Sequence, residues 1–337
     1  MSCSDKNEMN NYIAYLKYGV DQIIEKIRNR DFVKEDGDSK LYVVYLSGGK
    51  LFIEVNRIND ISNWSQILAA HYADPTTNTV SKKREKWRID DKDVGFVLVE
   101  GFSFVQPDIN LYYSFSPSPE HTFSHELAHH YFFNEVYKSL SHLYFKADEL
   151  REQAMLSRET IRESREKRAH NLYDIERELE KIKDDLRYAM RSLQRKLFFE
   201  EEVHATTSSL LYLLHRMKED TCARKFVADE INKLLYYYRY YSGIRDAHSR
   251  ISEDLRVIVY IFDYFEEKSK LWNYTKNFIE NPYSREVIED AELAMSELWN
   301  KIVSALERSK EEVQRHRFNS DLEEKIYRLE KELIREI

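Results

Sequence analysis

The chain has 337 residues, 42% of them hydrophobic and 33% charged, with a formal net charge of -8. That length allows one large domain or two ordinary ones, and the acidic balance excludes a general attraction to nucleic acid or anionic membrane. Two cysteines make no disulfide framework, the N-terminus has no basic-then-apolar signal region and no apolar run could span a bilayer, which together point to a soluble cytoplasmic protein.

Turn-forming residues are confined to the first part of the chain. Of 7 glycines and 5 prolines, only Gly243 and Pro282 follow Glu120. The first third should therefore be mixed and the remainder almost wholly helical, an α+β chain with a small antiparallel or mixed sheet. Ile13, Leu16, Val20, Ile23 and Ile27 form a helical stripe. Residues 41–47 and 50–55, separated by Gly48-Gly49, read as a β-hairpin. Residues 61–72 read as a short helix and 82–88 as a solvated basic loop containing Trp87. Residues 95–100 and 109–116 read as two further strands. Ser116-Pro-Ser-Pro119 then leads into a helix with Glu120 in its first turn.

That helix carries Ser124-His125-Glu126-Leu127-Ala128-His129, a His-Glu-x-x-His motif. Residues four apart lie one above the other on a helix, so His125 and His129 can present two imidazoles to one divalent ion, with Zn2+ the usual occupant. Glu126 is placed to act as general base towards a metal-activated water. His121 and His130 flank the motif and are read as out of register with it. A third ligand is still required. A histidine six residues after His129 is excluded, because Glu135 stands there and Phe132 replaces the turn glycine. The run Glu200-Glu201-Glu202 offers a glutamate, and spacing alone leaves open which of the three serves.

Between Glu120 and Ser242 there is neither glycine nor proline. Ile175, Leu179, Ile182, Leu186, Leu193 and Leu197 follow close to heptad spacing, whereas residues 157–170 read as exposed or loosely packed. Helical patterns continue over 203–214, 226–241, 251–265 and 287–306, and Leu322, Ile326, Leu329 and Leu333 close the chain in 4-3-4 spacing. The tyrosines of 236–241 read as amphipathic packing with wet hydroxyls.

The motif helix with its preceding strand and polar turn resembles the ImmA/IrrE group of cytoplasmic zinc metallopeptidases, over roughly residues 95–215. The resemblance implies a glutamate ligand (gluzincin-type) on a later helix and places it at Glu200, with Leu210-Leu211 as the downstream pair. Val203, His204 and Thr207 depart from the small and amide residues expected there. His204 is then a candidate for oxyanion stabilisation or for orienting a ligand. A continuous helix would carry Glu200 about 100 Å from His129, so the chain must go out and return. That requirement implies an antiparallel coiled-coil arm with its tip within 157–171.

The expected organisation is an N-terminal α+β part with the motif helix over 1–145, a helical hairpin over 146–196, the third-ligand helix over 197–218 and a helical domain over 219–337. The expected activity is zinc-dependent hydrolysis of peptide bonds in a protein or peptide substrate. Residues His125, His129 and Glu200 would hold Zn2+, and Glu126 and His204 would act in catalysis. The alternative is a helical binding or regulatory protein with a structural or catalytically silent zinc site. The arm and the terminal heptads are candidate surfaces for a second copy or a partner protein; membrane and nucleic acid are not expected partners.

Overall fold

The computed structural model describes residues 3–47, 49–56, 66–72, 78–90, 95–102, 119–163, 170–220, 224, 280–281, 284–316 and 320–336. Contacts divide the chain into two compact units, one comprising 1–134 and 201–305, the other 135–200 and 306–337. Among the described residues no helix is long and apolar enough to cross a membrane.

The first unit opens with α1 (Cys3–Asn29), whose stripe Ile13, Leu16, Val20, Ile23 and Ile27 is entirely buried. A sheet follows, made of β1 (Lys34–Asp36), β2 (Ser39–Leu46), β3 (Gly49–Asn56), β4 (Gln66–Tyr72) and β5 (Gly95–Phe102). Its strand order is β1-β2-β3-β5-β4, antiparallel except for the parallel pair of β3 and β5. The hairpin of β2 and β3 closes with Leu46 opposite Gly49, whose φ of 122° is accessible only to glycine.

Two sequence expectations are corrected here. Residues 66–72 form strand β4 rather than a helix, paired along its length with β5. A short apolar run fits either period, and the non-local partner strand decides. Residues 78–87 form helix α2 (Asn78–Trp87), not a solvated basic loop. Trp87 is buried against Leu41, Val43 and Phe52 of the sheet. Lys83 and Lys86 donate to the buried carboxylate of Glu54 at 2.7 and 2.8 Å. Burial alone would raise the Glu54 pKa, but the two ammonium groups hold it below the ordinary value. The basic residues of α2 thus clamp it to β3.

Two helices complete the described core of this unit around α1: α3 (Pro119–Phe132) and α6 (Glu201–Glu219). The strands expected over 109–116 and the helices expected over 226–241 and 251–265 lie outside the described residues, as does Gly48.

The second unit is built on α4 (Lys138–Glu163) and α5 (His170–Arg195), which pack side by side and antiparallel, as the ion pairs Arg158–Glu180 and Arg162–Glu176 require. The first of these helices ends at Glu163 and the second begins at His170. A π-helical turn precedes α4 (Phe133–Tyr137) and another follows α5 (Lys196–Glu200). Ala147, Leu150, Ala154 and Ile161 interleave with Leu172, Ile175, Leu179, Ile182 and Leu186. Ser157 is also buried, with its hydroxyl bound to Glu330 at 2.9 Å. The start of the 157–170 segment is therefore core rather than loosely packed, with Ser157 and Ile161 continuing the inward face of Leu150 and Ala154.

A further long helix is α7 (Arg285–Arg315), whose residues up to 305 belong to the first unit and the rest to the second. The terminal helix α8 (Ser320–Glu336) lays Ile326, Leu329 and Leu333 into the same core, so the final 4-3-4 stripe folds back within the chain. Lys146–Glu323 at 2.9 Å and Lys325–Glu178 at 2.6 Å fasten its flanks.

Helices α1 and α3 approach each other closely at Gly19. A Cβ there would lie 2.7 Å from Cδ1 of Leu127, the fully buried residue between Glu126 and Ala128. Gly19→Ala should lower unfolding stability by about 1–3 kcal/mol despite its better helix propensity, because it overpacks this contact. Leu127→Ala alone should cost about 2–5 kcal/mol, and less in the Gly19→Ala background, as a denaturant double-mutant cycle will read.

Candidate metal centre

The antiparallel pair of α3 and α6 assembles the candidate site. Its ends are fixed by Glu120, which accepts from Arg216 at 2.6 Å, and by the ring of His204, edge-on to Phe132 with centroids 5.3 Å apart. Between these contacts α6 is buried on almost every side from Val203 to Leu214. Its hydroxyls turn back on their own helix: Thr207 donates to the carbonyl of Val203 at 2.6 Å and Ser208 to that of His204 at 2.7 Å. A helix with no solvated face can thus carry Thr207, Ser208 and Ser209 without leaving them unsatisfied.

On α3 the motif spacing does what a 3.6-residue helix dictates. The Nε2 atoms of His125 and His129 face each other at 3.1 Å, with ring planes inclined at 73°. Two nitrogens bound to one tetrahedral zinc at about 2.0–2.1 Å would stand about 3.3 Å apart, so this pair is already close to the edge of a zinc tetrahedron. Nδ1 of His129 points the other way and donates to Oε1 of Glu201 at 3.1 Å. A carboxylate on Nδ1 fixes the tautomer that leaves Nε2 free to ligate. Glu126 is buried in the same helix at 5% exposure.

Glu200 and Glu201 are placed differently. Glu200 ends the π-helical turn and pairs with Lys196 at 2.6 Å. Glu201 opens α6 and meets His129. A helical wheel drawn back from Val203 assumes unbroken α-helix, whereas the π turn over Lys196–Glu200 changes the phase immediately before α6. Among the described residues no group of three His, Cys, Asp or Glu side chains is gathered to hold a metal ion. The residues present thus fit two nitrogen ligands and the carboxylate that orients one of them.

His204 is 4% exposed and packs on Phe132. His121 was misread in the sequence: it precedes His125 by four residues and so continues the same stripe. Its ring is nearly parallel to that of His125, with centroids 6.4 Å apart, and its Nε2 meets Oγ of Ser209 at 3.3 Å. The i, i+4, i+8 recurrence of histidine was the signal that would have found it.

No family model, no curated protein and no solved structure matches the chain.

Burial pushes the His121 pKa down to about 3, with the neighbouring His125 adding to the effect, and burial pushes that of His130 down to about 4. Both therefore fold as neutral rings, and the unfolded chain binds more protons below its ordinary pKa of about 6.5. Their contribution to stability is complete above that value and is lost on acidification. Denaturant unfolding of the chelator-treated protein should show stability falling from about pH 6.5 towards pH 4, and His130→Gln should flatten part of that slope.

Proposed function

We propose that the protein is a zinc-dependent metallopeptidase. The observation that carries the reading is the convergence of two Nε2 atoms at 3.1 Å, with the opposite nitrogen of His129 held by Glu201. His125 and His129 are the two nitrogen ligands. Glu200, implied by the resemblance to the ImmA/IrrE group, is the candidate third ligand, and Glu201 is the alternative from the same run.

Zinc, when bound here, supplies a Lewis acid that acidifies water and polarises a carbonyl. Glu126 takes the proton of the attacking water and returns it to the departing amine. Glu201 keeps His129 in the ligating tautomer. His204, edge-on to Phe132, is the candidate for stabilising the oxyanion or for orienting a ligand. Strand β4 pairs only with β5 among the described residues and lies beside α3, so its free edge can take an extended peptide as an added strand.

The second reading is a binding or regulatory protein with a silent zinc site, favoured by the lack of a gathered third ligand among the described residues.

Metal analysis and a peptide-library assay separate the two. Purified wild type should carry one zinc, lost in His125→Ala and His129→Ala. Glu126→Gln should keep the metal and cut peptide hydrolysis by about 10²–10⁴-fold. Metal bound without cleavage of any peptide would establish the silent site, and absence of zinc from wild type would end both readings. Glu201→Ala should weaken zinc affinity by about 10–100-fold if Glu201 only orients His129, whereas loss of stoichiometric zinc there, with retention in Glu200→Ala, would make Glu201 the ligand.

A further inference from the structure

The helical hairpin carries a concavity that the proposed peptidase site does not use. Its volume is about 320 Å³, and it is lined by Arg151, Met155, Arg158 and Arg162 of α4 with Lys183 and Arg187 of α5; Glu159 is its one acidic residue. On α4 the cationic positions recur at i, i+7 and i+11, and on α5 at i and i+4, so each helix turns one basic stripe towards the same groove. Five cations converge there in a chain whose formal net charge is -8.

Carboxylates pair with four of the five cations and leave Arg187 over. Arg151 pairs with Asp148 at 2.7 Å. Glu176 is shared by Nε of Arg158 and Nε of Arg162, each at 3.6 Å, too long for a hydrogen bond. Glu180 is shared by Arg158 and Lys183. Nε of Arg151 and Nε of Arg158 are buried and have no hydrogen-bond partner in the described structure. Arg187 is exposed and forms no ion pair among the described residues.

We infer that this groove is a binding site for a compact polyanion, namely a chain of two or three phosphate groups, whether free or as part of a nucleotide. Several arginines from two facing helices match the many acceptor oxygens of such a ligand, and their planar forks take phosphate in pairs of hydrogen bonds. The short groove, with Glu159 in its lining and no aromatic platform there, does not suit a continuous nucleic-acid strand.

The test is calorimetric titration of the full chain with inorganic tripolyphosphate and, separately, ATP at low ionic strength. The expected result is saturable one-to-one binding that weakens with added salt. Arg187→Gln removes no ion pair and should leave circular dichroism unchanged while weakening binding about tenfold; Arg158→Gln should weaken it further, and Lys181→Gln, outside the lining, should not. Equal affinities would assign the phosphates alone as the recognised feature, and tighter ATP binding would assign a nucleotide; both outcomes support the site. The same titration on His129→Ala should be unaltered, since loss of binding there would mean that the anion merely sequesters zinc and would overturn the assignment. No saturation by about 1 mM, unchanged binding in Arg187→Gln, or tighter binding of single-stranded RNA than of tripolyphosphate would also overturn it.

Discussion

A single contact, Nδ1 of His129 on the carboxylate of Glu201, links two helices whose contacting residues are 72 positions apart. Without the neighbouring packing of α3 on α6 the imidazole would be free to turn, and the two Nε2 atoms would not be held 3.1 Å apart. The remaining features of the first unit support that pairing. Gly19 lets α1 approach Leu127 closely, Arg216 fixes the start of α3, and the self-satisfied hydroxyls of α6 allow it to be buried on nearly every side. The geometry of the motif is therefore held by residues outside it.

The two units use different means to the same end. In the first, aromatic and aliphatic side chains surround a sheet and three helices, with Glu54 and its two lysines as a buried polar clamp. In the second, a narrow apolar seam is flanked by ion pairs, which is how long helices with few core residues per turn keep a fixed partner. The surplus of arginine on one side of that seam is more than helix pairing needs.

What could be read from the sequence was what depends on local period. The α1 stripe, the β2–β3 hairpin, the motif helix and the heptads of α5 all rest on spacings within one element, and each sits as its spacing demands. Features set by distant partners were not legible. Residues 66–72 are strand because β5 pairs with them, and the lysines of α2 are structural because Glu54 lies some thirty positions earlier. Ser157 is core because Glu330 and the small residues around it make room for a hydroxyl. The identity of the carboxylate on His129 turned on a π-helical turn, a register change that no wheel anticipates.

The insertion of the hairpin between α3 and α6 also bears on how the site forms in time. Bringing His129 and Glu201 together from an open chain would mean closing a loop of 72 residues, an entropic barrier that slows folding. A hairpin that zips from its own local contacts draws its two ends side by side first, and the loop left to close is then only the few residues of the flanking turns. The contacts of the hairpin core are thus mostly local in sequence, whereas the contact of His129 with Glu201 is not.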